Sequence, residues 1–217
     1  SDSSITFENT SFGSGILSPV LNSYRNCTLN IGDNVVINGD IQLGKGASLD
    51  IRGTAQINGD LNLSGARLGM EFGAVINGSL FANEFSTLNL YDDNGTPGTN
   101  AISGELLLSH SIASIANNIS GVTAISVIER SDLIIGSGLN WSLSNQILVD
   151  NKSQVEVQNF GSATNISRAG APDVIFSLGG DSTLRIADGT TLTGNINIDQ
   201  GSSLSSFDGV TFNGARS

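Results

Sequence analysis

Nucleophilic catalysis in this chain would have to run through one histidine, His110, flanked by Ser109 and Ser111. A serine nucleophile needs an imidazole base and an acid that orients it, brought together by the fold. No Gly-x-Ser-x-Gly elbow is present, and spacing marks no partner acid. His110 therefore reads as a solvated corner residue. Zinc asks for several His or Cys ligands. Cys27 and His110 are the only two such residues, which excludes a zinc centre. Cys27 itself reads as a small buried apolar residue.

Hard cations take oxygen ligands, and Asp92-Asp93-Asn94-Gly95 offers them on a loop. It lacks the closing Glu of a regular calcium loop. The repeat-type calcium signature is reduced to Gly179-Gly180-Asp181. The loop reads as a solvated acidic turn. Calcium at Asp92 and Asp93 is the one cofactor candidate, and no other cofactor is expected.

Glycoside hydrolysis needs two carboxylates ~5–9 Å apart. Asp40 and Asp60 occupy equivalent positions in a repeat, one turn apart, and their shared Ile-Asn-Gly-Asp context explains them as corner residues. Arg52, Arg67 and Lys45 offer a base for a lyase, but nothing singles one out. The Asn-Thr-Asp, Gly-His-Gly and Arg-x-Lys elements of polygalacturonases are absent. Trp141 alternates with Leu139 and Leu143, which fits an inward core position; an exposed sugar platform is the other reading. Tyr91, Asp92, Asp93 and Trp141 are thus the ligand candidates, and no catalytic residue is assigned. Ice binding would need ranks of outward Thr, and the Thr residues are scattered.

Composition narrows the elements that must position these groups. Of 217 residues, 9 are Lys or Arg and 20 are Asp or Glu, a net charge of −11. Charge at 13% is about half the usual share. Such a balance excludes nucleic acid as a partner, because phosphates need clustered cations. It also disfavours anionic membrane surfaces, and no stretch approaches the ~18 apolar residues of a membrane span. Gly 27, Asn 23 and Ser 31 together supply the turn formers. Strong helix formers are scarce. The chain reads as all-β, with many short strands and tight turns. An acidic, Lys-poor, Ser/Asn/Gly-rich surface with one cysteine fits an extracellular or bacterial cell-surface setting.

A repeat of about twenty residues organises those strands. Ile-Asn-Gly-Asp stands at Ile37–Asp40 and again at Ile57–Asp60, and Ile-Asn-Gly-Ser at Ile76–Ser79. A second marker keeps the same beat at Leu29-Asn30-Ile31, Leu49-Asp50-Ile51, Leu68-Gly69-Met70 and Leu88-Asn89-Leu90. Within one repeat, Leu49 and Ile51 alternate with polar residues, which is the period of a strand with one buried face. Asn-Gly and Ser-Gly mark corners where positive φ is tolerated. An Asn-Gly pair also suits a hairpin, but a regular period near twenty favours a solenoid. The expected fold is a single-stranded parallel β-helix over residues 1–217, right-handed by the rule for parallel crossovers.

Irregularities are expected in three places. Residues 1–26 carry no clean marker and read as a cap or irregular first turns. Residues 91–101 and 160–173 read as inserted loops. Ile102 resumes the pattern 26 residues beyond Ile76, and the late markers Leu184, Leu192, Leu204 and Phe212 regain the step of twenty. With no capping sequence after Phe212, Leu204, Phe207, Val210 and Phe212 are expected to form an assembly edge. That edge would belong to a chain cut from a longer β-helix, or would stack head-to-tail on a second copy. The start at Ser1, without a Met, suits a processed or excised product.

The run Ile37-Asn38-Gly39-Asp40-Ile41-Gln42-Leu43, repeated at Ile57–Leu63, resembles the passenger β-helix of autotransporter and filamentous-haemagglutinin-like adhesins. The resemblance covers most of Cys27–Leu90 and Thr183–Gly214. It implies a secreted stalk that adheres to a host or abiotic surface, to a glycan or to copies of itself, in biofilm formation for example. The same elements resemble bactofilin-like cytoskeletal polymers, whose turns are shorter. A different class, the polysaccharide-binding or polysaccharide-degrading β-helix of the pectate-lyase and tailspike kind, stands as the alternative.

Overall fold

A computed structural model describes residues 3–7, 20–21, 27–71, 73–91, 99–159, 162–168 and 173–214. These residues form 28 strands and no helix. Among them, no helix is long and apolar enough to cross a membrane.

One turn shows how the sequence builds the architecture. Cys27–Ile31 lies on a first face, Val36–Asn38 on a second and Ile41–Leu43 on a third. The chain then returns at Ser48–Ile51, which pairs in parallel with Cys27–Ile31. Repetition stacks ten parallel strands on the first face and nine on the third. The second face is a sheet of five strands followed by a sheet of four. The protein is a parallel β-helix.

Both sequence markers are register columns. Leu29, Leu49, Leu68 and Leu88 stand above one another on the first face. Ile37, Ile57, Ile76 and Ile102 do so on the second, across the long step of that turn. Late in the chain Leu184 pairs with Leu204 and Leu192 with Phe212. Between these stretches the first-face column continues through Ala113, Leu133 and Val155, where the marker is lost because the residue types change. The inward residues form one continuous apolar core. Each buried Leu or Ile contributes about 1.5–3 kcal/mol relative to exposure.

Strands extend into all three segments expected to be irregular. Ser3–Phe7 and Val20–Leu21, within 1–26, pair in parallel with the strands that follow. Thr99–Ile102, within 91–101 and one residue past it, pairs with neighbours on both sides. Thr164–Arg168, within 160–173, pairs with Asn140–Leu143 and Thr190–Thr193. Thr164 and Ile166 alternate inward there, so that strand obeys the ordinary period despite its Gly and Pro surroundings.

Two of the three corners between faces differ in build. The sharp corner, between the second and third faces, stacks Gly39, Gly59, Gly78 and Gly104. A Cβ on Gly59 would stand 2.4 Å from the Gly39 carbonyl oxygen, and one on Gly78 2.2 Å from that of Gly59. The closing corner, between the third face and the next first-face strand, is built differently and carries the site.

Candidate functional site

Residue 47 and its equivalents sit at the inner side of the closing corner. Ala47 and Ala66 fill this position in two early turns, and Ser86, Ser111, Ser131, Ser153, Ser182 and Ser202 fill it afterwards. The serines form an internal ladder. Ser86 Oγ accepts the Ala66 N–H at 3.2 Å, Ser111 Oγ that of Ser86 at 3.2 Å, and Ser131 Oγ that of Ser111 at 3.1 Å. Ser153, Ser182 and Ser202 continue it at 3.1–3.2 Å. Three of the hydroxyls also donate back to their own corner: Ser86 to Asn83 O, Ser111 to Ser109 O and Ser131 to Ile128 O. Backbone groups that a tight turn would bury unpaired are thereby satisfied.

The residue just before the ladder position projects outward. It is Gly46, Gly65, Phe85, His110, Arg130, Lys152, Asp181 and Gly201 in successive turns, and every one of them has positive φ, between 50° and 90°. Among the described residues, eight of the nine non-glycine residues with positive φ lie at this corner: these five, with Glu84, Glu129 and Asn151 beside them. A left-handed conformation costs roughly 1–2 kcal/mol for a residue with a Cβ. Bulky residues held there mark a site worth a functional hypothesis.

The side chains at this corner touch from turn to turn. Phe85 is 82% exposed, and its ring lies 6.0 Å from that of His110. His110 Nδ1 is 3.3 Å from Glu129 Oε2. The Ser109 hydroxyl donates to the same Glu129 oxygen. Histidine, serine and acid do meet, but the carboxylate lies between the other two, and the hydroxyl is bound to the acid. That arrangement lacks the serine-to-imidazole contact of a nucleophile and its base. Next along the corner is an open cleft of about 640 Å³, lined by His110, Glu129, Arg130, Asn151, Lys152 and Asp181. Neither Arg130 nor Lys152 has an ion-pair partner among the described residues. Beside the cleft, burial on the sheet pushes the Asp132 carboxyl above its ordinary pKa.

The ligand and edge candidates fall elsewhere. Trp141 is 2% exposed in the core with Leu139 and Leu143. Alternation had put it inward, and burial removes the sugar-platform reading, because no ring face reaches solvent. Tyr91 ends the strand Thr87–Tyr91, and a Cβ built on Gly69 would lie 3.4 Å from its ring. With Asp50, Arg67, Gly69 and Asn89 it borders a cleft of about 410 Å³ on the first face. Asp92 and Asp93 lie outside the described residues. Among the described residues no group of three or more His, Cys, Asp or Glu could hold a metal ion. Leu204, Val210 and Phe212 are partly buried against the core on the last described turn, whereas Phe207 is 62% exposed beside Arg185 and Glu156. Cys27 is half-buried and free.

Asp40 and Asp60 are indeed one turn apart, and both are engaged. Asp40 Oδ1 accepts the Asp60 N–H at 2.8 Å, and Asp60 Oδ1 the Ser79 N–H at 2.7 Å. Asparagines bind in the same way from turn to turn: Asn58 Nδ2 donates to Asn38 Oδ1 at 2.6 Å, Asn77 Nδ2 to Asn58 Oδ1 at 2.7 Å and Asn165 Nδ2 to Asn140 Oδ1 at 2.8 Å. Where the second face changes sheets, Asn118 Oδ1 takes the Asn140 N–H at 2.7 Å and bridges the gap.

Sequence reasoning missed Phe85, Glu129, Arg130 and Lys152. Their one shared sign is the serine or its neighbour that follows, at steps of 20 to 29 residues. Comparison of the chain with protein-family models, with curated proteins and with solved structures returns no match.

Proposed function

We propose that this chain is a non-catalytic structural and adhesive module of a bacterial cell surface, a rod that presents one edge to a surface, a glycan or another copy of itself. The observation that carries this reading is a division of labour among polar side chains. Outward Asn38, Asn58, Asn77, Asp40 and Asp60 are occupied by hydrogen bonds between turns. The closing corner instead holds aromatic and charged groups outward, in a backbone conformation that glycine would adopt at less cost. The engagement of Asp40 and Asp60 with backbone amides also favours scaffold over hydrolase. A glycan-binding form of the reading draws support from the Tyr91 cleft, where an aromatic ring stands among Asp50, Asn89 and Arg67.

The test displays the chain on non-adherent cells and measures attachment to abiotic and glycan-coated surfaces, together with cell-to-cell aggregation. Attachment or aggregation above the undisplayed control is expected. Loss of both, or release of reducing ends from a polysaccharide panel by the purified chain, overturns the reading.

A further inference from the structure

We propose that the closing corner from Phe85 to Lys152 is a binding site for a linear polyuronate, an extended polysaccharide with one carboxylate on each sugar. The proposal rests on the adhesive reading above and names the ligand of that same edge.

Four consecutive turns place Phe85, His110, Arg130 and Lys152 at one corner position, each directly before a ladder serine. Turns of a parallel stack are about 4.8 Å apart, close to the length of one pyranose unit in an extended chain. Donors on three successive turns, at His110, Arg130 and Lys152, therefore lie within reach of carboxylates carried along such a chain. Arg130 and Lys152 are exposed and lack ion-pair partners among the described residues. Like charges on neighbouring strands repel, so the fold gains nothing by setting them side by side. Gly46, Gly65 and Gly201 make the same turn without strain. With only 9 Lys and Arg in 217 residues, two cations and the sole histidine fall on three successive turns.

The surroundings define the ligand further. Glu129, an acid of the same cleft, faces back to His110 and Ser109. Asp181 ends the row with a charge that repels the next carboxylate. At the other end the Phe85 ring, 82% exposed, offers an apolar face on which a sugar ring can stack. Glu84 precedes Phe85 at the same corner, and Asp132 opens the first-face strand that follows Arg130 and Ser131. Duplex DNA carries a phosphate every ~1.7 Å of axis, too dense for this spacing.

The experiment titrates the full chain with a fluorescent hexamer of mannuronate, its fully methyl-esterified counterpart and a thymidine oligonucleotide, each at low and high salt. Expected are saturable binding of the acidic hexamer that weakens with salt, and no comparable binding of the ester or the oligonucleotide. Arg130→Gly and Lys152→Gly should each weaken binding roughly tenfold, the loss of one charge-assisted contact, while the thermal midpoint holds or rises. Lys152→Arg should retain affinity. Equal binding of the ester, equal binding of the oligonucleotide, or an unchanged affinity in the double glycine variant overturns the proposal. If displayed cells still attach while the hexamer fails to bind, the site assignment falls and the adhesive reading stands.

Discussion

Two of the three corners between faces use glycine for different main reasons. At the sharp corner the reason is space: a Cβ on Gly59 would stand 2.4 Å from the carbonyl oxygen of the turn below. At the closing corner the reason would be conformation, since φ is positive throughout. Yet there Phe85, His110, Arg130, Lys152 and Asp181 replace glycine, because their side chains leave the stack into open solvent. A clash with backbone has no outlet, whereas a strained φ costs a bounded amount. The fold can therefore carry function at the second corner and has little room for it at the first.

Gly59→Ala probes the steric corner and should have the largest effect. Forcing the stacked backbones apart is expected to lower stability by about 3 kcal/mol, read as a shift in the guanidinium unfolding midpoint. A loss under about 1 kcal/mol would mean that the corner relaxes, and would erase the distinction. Ser131→Ala tests what supports the second corner. It removes the acceptor for the Ser111 N–H and the donor to Ile128 O. A loss of about 2 kcal/mol is expected from these buried groups; near-neutrality would show that the ladder does not support the strained residues.

Arg130→Gly should move the other way. Relief of the left-handed conformation is expected to raise stability by about 1 kcal/mol, in the same unfolding measurement. Destabilisation would show that the arginine packs for the fold's sake. The smallest effect belongs to Asp132, whose carboxyl is pushed up by burial. Between its ordinary pKa and the raised one, the folded protein binds more protons than the unfolded one. Stability should therefore rise slightly as pH falls through that window. Asp132→Asn should flatten this part of the pH–stability profile, and an unchanged profile would place the titration elsewhere.

The same contrast explains what could be read from the sequence. The sharp corner repeats its residues as well as its shape, so Ile-Asn-Gly-Asp at Ile37 and Ile57 announced the turn length and the register. Trp141 was legible as core, since alternation with Leu139 and Leu143 depends on the two-residue period alone. The closing corner repeats shape without residue type. Phe85, His110, Arg130, Lys152 and Asp181 have no chemistry in common, and steps of 20 to 29 residues hide the serines behind them. Thr164–Arg168 was obscured by Gly161, Gly170 and Pro172, which punctuate the chain around that strand without entering it.

The serine ladder also gives the rod a direction. Every N–H in it is accepted by the hydroxyl of the turn that follows in the chain. A cut between turns anywhere from Ala66 to Ser202 would therefore leave unlike surfaces, a bare donor on the earlier turn and a bare acceptor on the later one. Segments divided in this way can be rejoined in one order only, so the interior specifies polarity as a keyed joint does, without reference to the surface.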